Sequence, residues 1–250
     1  MIRSIVLHQI PMTHIAAMEK WYWRDHAPEI VRRYGPWMAR HESWLPVDAP
    51  ADARALGWFN WRLTDGWWRE MPLAGPRGAM AFTLPPHWPT VATCFIAAQP
   101  DHDWKGAEIQ PHEKSVLRWV QLWRYPEGVS RAAGDAWLTG SLVPELCRNP
   151  AVFRAFSHAA VTPGGGLPGV WPPDSLAPMK ATLQTGYDRV VEIWTESFDD
   201  WRAALQMPLT PPPWATRGDF PFVAPGQDFV CSFVLERPND EFLRDARGTV

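Results

Sequence analysis

The sequence predicts an α+β fold built from two fused ferredoxin-like units, each in the order β-α-β-β-α-β. Three observations predict it. A block reading Trp-Tyr-Trp-Arg-Asp-His-Ala-Pro-Glu-Ile at 21–30 returns 116 positions later as Trp-Leu-Thr-Gly-Ser-Leu-Val-Pro-Glu-Leu at 137–146. Both blocks follow an apolar run ending in proline, 2–11 and 116–126, and both precede an apolar run leading to Trp-Arg, 58–69 and 190–202. The period is about half of a 250-residue chain, which indicates a two-unit duplication rather than a solenoid.

In the first unit, residues 2–10 alternate in polarity and stop at Pro11, as a strand does. Thr13 can cap a helix through Ala16, Met18 and Trp21 to about Asp25, and Pro28 limits its extension. Residues 37–44 read as a second strand and 56–63 as a third. Residues 66–70 begin a short helix, the Pro/Gly-rich stretch 72–89 ends it, and 91–97 form the fourth strand. The second unit repeats the order: strand 115–125, helix 130–142, strands 153–161 and 189–194, helix 199–205 and strand 229–235. Its Pro- and Gly-rich insertions, 163–178 and 208–225, have the length of loops that rim or cover a site. The division falls near 110–115, giving units 1–112 and 113–250.

Composition narrows the function. At 46% apolar and 20% charged the chain can bury a core, and a net charge of −3 without a basic block gives no attraction to nucleic acid or anionic membrane. The opening Met1-Ile2-Arg3-Ser4 is too poor in apolar residues for a signal peptide, and no stretch approaches a membrane span. Cys94, Cys147 and Cys231 lack metal-ligand spacing and read as reduced thiols of a cytoplasmic protein. The 17 tryptophans suggest a roomy aromatic interior.

On the repeated block, Tyr-Pro-Glu-Gly at 125–128 and residues 190–202, the chain resembles tandem EthD-like domains of the dimeric α+β barrel superfamily over most of both halves. The resemblance implies two ferredoxin-like sheets packed face to face around an interior cavity. That is an intramolecular pseudo-dimeric α+β barrel, with one chain supplying both halves. It implies no single reaction, because the superfamily includes cofactor-free isomerases, lyases, cyclases and monooxygenases as well as haem enzymes.

Strand parity assigns candidate cavity residues, since positions i and i+2 share a face. Arg3, Ile5 and Leu7 align with Arg118, Val120 and Leu122, which suits packing against helices. Ser4, Val6 and His8 align with Trp119, Gln121 and Trp123, a mixed polar and aromatic set assigned to the cavity. Matching Trp68-Arg69 to Trp201-Arg202 pairs Trp61 with Trp194 and Phe59 with Glu192. A Glu192 inside an apolar run is either ion-paired or raised in pKa and fit for proton transfer. His26 has Leu142 as its counterpart, and the EthD-like pattern commonly has a His at its position pointing into the barrel. His41 shares a strand with Trp37 and Ala39 and is assigned to the cavity, while His14, His87, His102 and His112 read as solvated.

The expectation is therefore a cofactor-independent lyase, isomerase or cyclase. His26 and Glu192 would act as base and acid, with His8 and His41 assisting. The substrate would be a small hydrophobic, cyclic or aromatic molecule bound by Trp23, Trp61, Trp119, Gln121, Trp123 and Trp194. No metal-binding cluster, phosphate loop or nucleophile elbow is expected. Two rival readings stand beside it: a haem-dependent enzyme with His8, His26, His41 or His158 as axial ligand, and a non-catalytic binder of a hydrophobic metabolite. A homodimer of the whole chain is compatible with all three.

Overall fold

The computed structural model describes residues 1–70, 83–105, 115–161 and 183–244. The expected insertion at 163–178, most of the boundary region at 110–115 and the start of the 72–89 stretch lie outside the described residues. Two sheets form. In the first, β2 (Met38–Trp44), β3 (Arg62–Trp68), β1 (Ile2–Gln9) and β4 (Thr90–Ala97) lie in that order. In the second, β10 (Phe229–Leu235), β6 (Leu117–Trp123), β9 (Arg189–Thr195) and β7 (Arg154–Ala159) give the same order in reverse. Each is the ferredoxin-like arrangement, and the fold is a fused pseudo-dimeric α+β barrel.

The units exchange edges. β5 (His102–Lys105) leaves the first unit to pair with β7, and β11 (Asp240–Arg244) returns from the second to pair with β2. A two-residue β8 (Leu183–Gln184) lies parallel to β4. Backbone bonds also join sheet to sheet: the Val161 N–H donates to the Phe95 carbonyl at 2.9 Å, and the Val47 N–H to the Phe233 carbonyl at 2.8 Å. Neither sheet is left with a bare edge at these junctions.

The helices of the repeated block differ from the expected short helix stopped by proline. Each runs through it by one π-helical turn: α1 (Ile15–Trp21), Tyr22–His26, α2 (Ala27–Tyr34), and likewise, after the single-turn α3 (Ala51–Arg54), α4 (Arg131–Trp137), Leu138–Leu142, α5 (Val143–Cys147). Pro28 and Pro144 have no N–H to donate, and their rings would strike the carbonyl four residues back in an α-helix. Widening the turn avoids that collision, so the Ala27 and Val143 N–H groups donate five residues back, to Tyr22 and Leu138.

The remaining Trp and Glu of the block form a clamp. The Trp21 Nε1–H donates to the Thr83 carbonyl at 2.8 Å, while the Glu29 carboxylate accepts from the Thr83 N–H and hydroxyl. Trp137, Glu145 and Thr210 repeat all three bonds. The repeated signature thus ties a Thr-containing loop to a π-bulged helix.

The third strand departs from expectation. Residues 56–63 were expected as strand and 66–70 as helix, but β3 covers Arg62–Trp68. Pairing to β1 decides this: Ile2 faces Trp68 and His8 faces Arg62, as Leu117 faces Thr195 and Trp123 faces Arg189 in the second sheet. Asp65, not Phe59, is therefore the counterpart of Glu192, and Trp67, not Trp61, that of Trp194. Trp68 lies on a strand and Trp201 on α6 (Phe198–Leu205), so the two Trp-Arg pairs are unrelated.

Parity also needs correction. Ile5 and Leu7 do not pack on helices; they meet Val120, Leu122, Val190 and Val230 between the sheets. Arg3 lies on that face beside Asp65 at 2.7 Å, and Arg118 beside Glu192 at 2.9 Å. A second buried arginine couples strands to helices. Arg62 donates to Glu19 of α1, to Ser43 of β2 and to Asp240 of the exchanged β11. Arg189 donates to Asp135 of α4, Ser157 of β7 and Asp101 beside the exchanged β5.

Removing the buried cation should leave its carboxylates uncompensated. Arg62→Ala is expected to cost about 3 kcal/mol in urea unfolding, the low end for breaking a buried pair, because Glu19 keeps some contact with water. Arg189→Ala should cost a similar amount. A loss under about 1 kcal/mol for either would show that the network is not what joins strand, helix and exchanged edge.

Candidate functional site

One cavity of about 150 Å³ opens in the first half, between the outer face of its sheet and its own helical layer. It does not lie between the two sheets, where the resemblance placed it; that space holds the aliphatic packing and the Arg–carboxylate pairs. Ser4, Val6 and His8 of β1 line its floor together with Thr64, Gly66 and Trp68 of β3. Gly66 leaves room there: a Cβ would come within 2.7 Å of the Ser4 hydroxyl, which would have to swing away. Trp21, Tyr22, His26, Ile30 and Tyr34 roof it, and the clamped loop supplies Thr83, Leu84, Pro85 and Trp88. Leu183 of the second half closes one side.

His8, His26 and His41 reach this cavity from three elements: β1, the π turn and β2. His41 arrives through a bulge. The register between β2 and β3 shifts between Met38 and Arg40, which turns both Met38 and His41 toward the cavity. His41 therefore corresponds to Ala155 of β7, and Ser43 to Ser157. The π turn presents His26 against Trp21 at 4.7 Å and Tyr22 at 5.3 Å, between ring centroids.

All three imidazoles are held neutral. Burial is the largest cause, depressing His8 to about 4 and His26 and His41 to about 3. The Arg62 guanidinium behind the wall and the neighbouring histidines add to the effect, and the hydrogen bond from His8 to the Arg62 carbonyl opposes it only in part. Among the described residues no Lys, Arg, Asp or Glu lines the cavity.

The other sequence-derived candidates lie elsewhere. Glu192 is 2% exposed between the sheets, and its carboxyl is lowered, not raised. Burial alone would raise it, but Arg118, Arg3 and the Trp194 Nε1–H outweigh burial. Of the proposed binding tryptophans only Trp61 lines the cavity, donating from Nε1 to Glu19. Trp23 is half exposed against Phe242. Trp194 sits beside Glu192 and Arg118.

Trp119, Gln121 and Trp123 occupy the equivalent region of the second half, which is filled. Trp119 stacks on Phe233, and Trp123 packs on Trp137 and Phe229, with its Nε1–H on the Gln121 oxygen. Phe220 and Phe222, from the 208–225 insertion, complete the plug. Trp for Ser4, Trp for His8 and Leu142 for His26 thus convert one of two equivalent spaces into solid core.

Trp68, Trp88, Tyr22 and Tyr34 are lining residues that sequence reasoning missed. Tyr34 lies beyond the helix expected to end near Asp25, which the π turn carries past Pro28. The residues do not fit a haem. His158 is engaged by Arg3 and the Ala97 carbonyl, and a porphyrin is several times larger than the benzene-sized ligand that such a volume holds. No helix among the described residues is long and apolar enough to cross a membrane.

The family model of the chalcone isomerase N-terminal domain matches residues 1–90, the stretch that carries the three histidines and most of the cavity. No curated protein matches the sequence. An anthrone oxidase-like protein of solved structure superposes with a TM-score of 0.50 at 12% identity, covering 98% of this chain and 95% of that one. A chlorite dismutase from Candidatus Nitrospira defluvii superposes at 0.38 and 10% identity, with 93% and 90% covered, too loosely to bear on the site. Together with the strand order, the first superposition identifies a dimeric α+β barrel-like fold.

Proposed function

We propose that this chain is a tandem EthD-like, cofactor-independent enzyme of isomerase type, moving a proton within a small aromatic or cyclic molecule bound in the first half. The observation that carries the reading is the convergence of His8, His26 and His41, all neutral, on one aromatic cavity with no charged residue among its described lining. The match of residues 1–90 to a chalcone isomerase domain supports the same reaction type. Glu192 has no part in it.

Isomerisation needs a proton removed at one place and returned at another, with no net gain. A neutral imidazole can accept at one nitrogen and donate from the other. His26 takes the proton and passes one to the unprotonated nitrogen of His41, whose other nitrogen returns one to the substrate, so both rings end neutral and no charge is left in the desolvated site. The bond broken is the substrate's C–H or O–H, and the bond formed is a new one on the same molecule. Trp21, Trp61, Trp68 and Trp88 hold the ring and keep water out.

The test is deuterium incorporation from D2O into a panel of small cyclic ketones and phenols. His26→Ala should slow it by about 10²–10⁴-fold, the usual worth of general acid–base catalysis, and leave unfolding little changed. Leu142→Ala, its counterpart in the filled half, should instead cost about 2–5 kcal/mol of stability and spare exchange. Tight binding of ligands without exchange in the wild type would favour the non-catalytic binding reading.

Acid should act on both rate and stability. The folded state holds these histidines neutral while the unfolded chain protonates them below about 6.5. Their contribution is therefore complete above pH 6.5 and is lost as pH falls toward about 4 and 3. Tm measured across that window should decline, and a His41→Asn variant should decline less steeply. The acid limb of the exchange rate should fall below pH 5. A limb centred on the ordinary imidazole value would contradict the neutral relay.

A further inference from the structure

We infer that the ligand of this cavity is uncharged and single-ringed and carries a hydroxyl: a phenol, or the enol form of a cyclic ketone. The inference rests on the same site as the enzymatic reading but concerns recognition, not turnover. Size is the first constraint. A volume of about 150 Å³ matches the class of protein cavity that takes up benzene, so one ring fits and a second would have to project outside.

Charge is the second. Among the described residues the guanidinium beside the cavity, Arg62, is already satisfied by Glu19, Ser43 and Asp240, so an entering anion would be desolvated without a free counter-ion there. A cation would find aromatic faces, which ordinarily attract it. Here, however, the Tyr22 ring is already taken by the Arg62 guanidinium at 4.1 Å, and among the described residues no carboxylate lines the cavity to replace the hydration a cation would lose.

Hydrogen bonding is the third. The His8 Nδ1 faces the Arg62 carbonyl at 3.4 Å, an acceptor, so Nδ1 carries the proton and Nε2 is left as a lone pair. His41 is 5% exposed, yet neither of its ring nitrogens has a partner among the described residues. Buried polar atoms are seldom left in that state. The unprotonated His8 Nε2 needs a donor, which excludes a simple ketone or hydrocarbon, while the His41 N–H needs an acceptor. A hydroxyl is both.

The experiment titrates the purified protein with phenol, toluene, benzoate and tetramethylammonium at neutral pH, followed by calorimetry and by the ¹⁵N resonances of the histidine rings. Phenol should bind about tenfold more tightly than toluene, the worth of about one satisfied hydrogen bond, and should shift the His8 and His41 nitrogens. Benzoate and tetramethylammonium should not bind measurably. His41→Phe and His8→Phe should bring phenol to parity with toluene while toluene affinity persists, which also reports an intact cavity. Toluene equal to phenol in the wild type, or either ion outbinding phenol, overturns the inference. Selective phenol binding without proton exchange would defeat only the enzymatic reading. Exchange catalysed on a charged substrate would defeat only this one.

Discussion

The buried arginine on the third strand of each unit is the constraint around which the rest is arranged. Arg62 and Arg189 are almost fully excluded from water, and a guanidinium can occupy such a place only if its donors are met by carboxylates and hydroxyls. Three separate pieces of chain meet them: a helix, the neighbouring strand and the segment at the exchanged edge. Satisfying one cation therefore fixes the helix on its sheet and draws an edge strand across from the other unit. Because the same solution occurs twice, the two halves interlock rather than merely touch.

Within this symmetric frame the cavity is a product of asymmetry in side-chain volume. The strand order, the π turns and the Thr clamps are the same in both halves. Where the first has Ser4, Val6 and His8 under His26, the second has Trp119, Gln121 and Trp123 under Leu142. Two indoles and two phenylalanines from an insertion take up the space. The second half thus forms the larger continuous core, and the first half bears the pocket. A cavity lined by buried histidines costs stability, and the solid copy beside it supplies apolar burial that offsets that cost.

The π turn connects the repeated sequence block to the chemistry. It arises because proline cannot continue an α-helix, and its consequence is a rotated helix face that brings Tyr22 and His26 over the floor of β1. The flanking Trp21 both packs on His26 and anchors Thr83 of the wall loop, so one indole links the roof to the side of the cavity. In the second copy the same geometry supports only packing.

Much of the architecture was legible in the chain itself. The duplication, the strand–helix–strand opening of each unit, the first and last strands and the unequal pair His26/Leu142 follow from local alternation, proline placement and repeat spacing, all short-range properties of the backbone. Ser4, Val6 and His8 shared a face for the same reason. What the sequence could not decide was which neighbour each face would meet. Residues 56–61 and 62–68 are similarly apolar and aromatic, and only pairing with β1 selects the second as strand, making Asp65 the partner of Arg3 and Glu192 that of Arg118. The bulge that turns His41 inward, the exchange of β5 and β11 and the plugging of the second space likewise come from contacts between residues far apart in the chain. Alternation is set by the geometry of one strand; the identity of the opposing surface is set by register and volume, which exist only once the sheets have assembled.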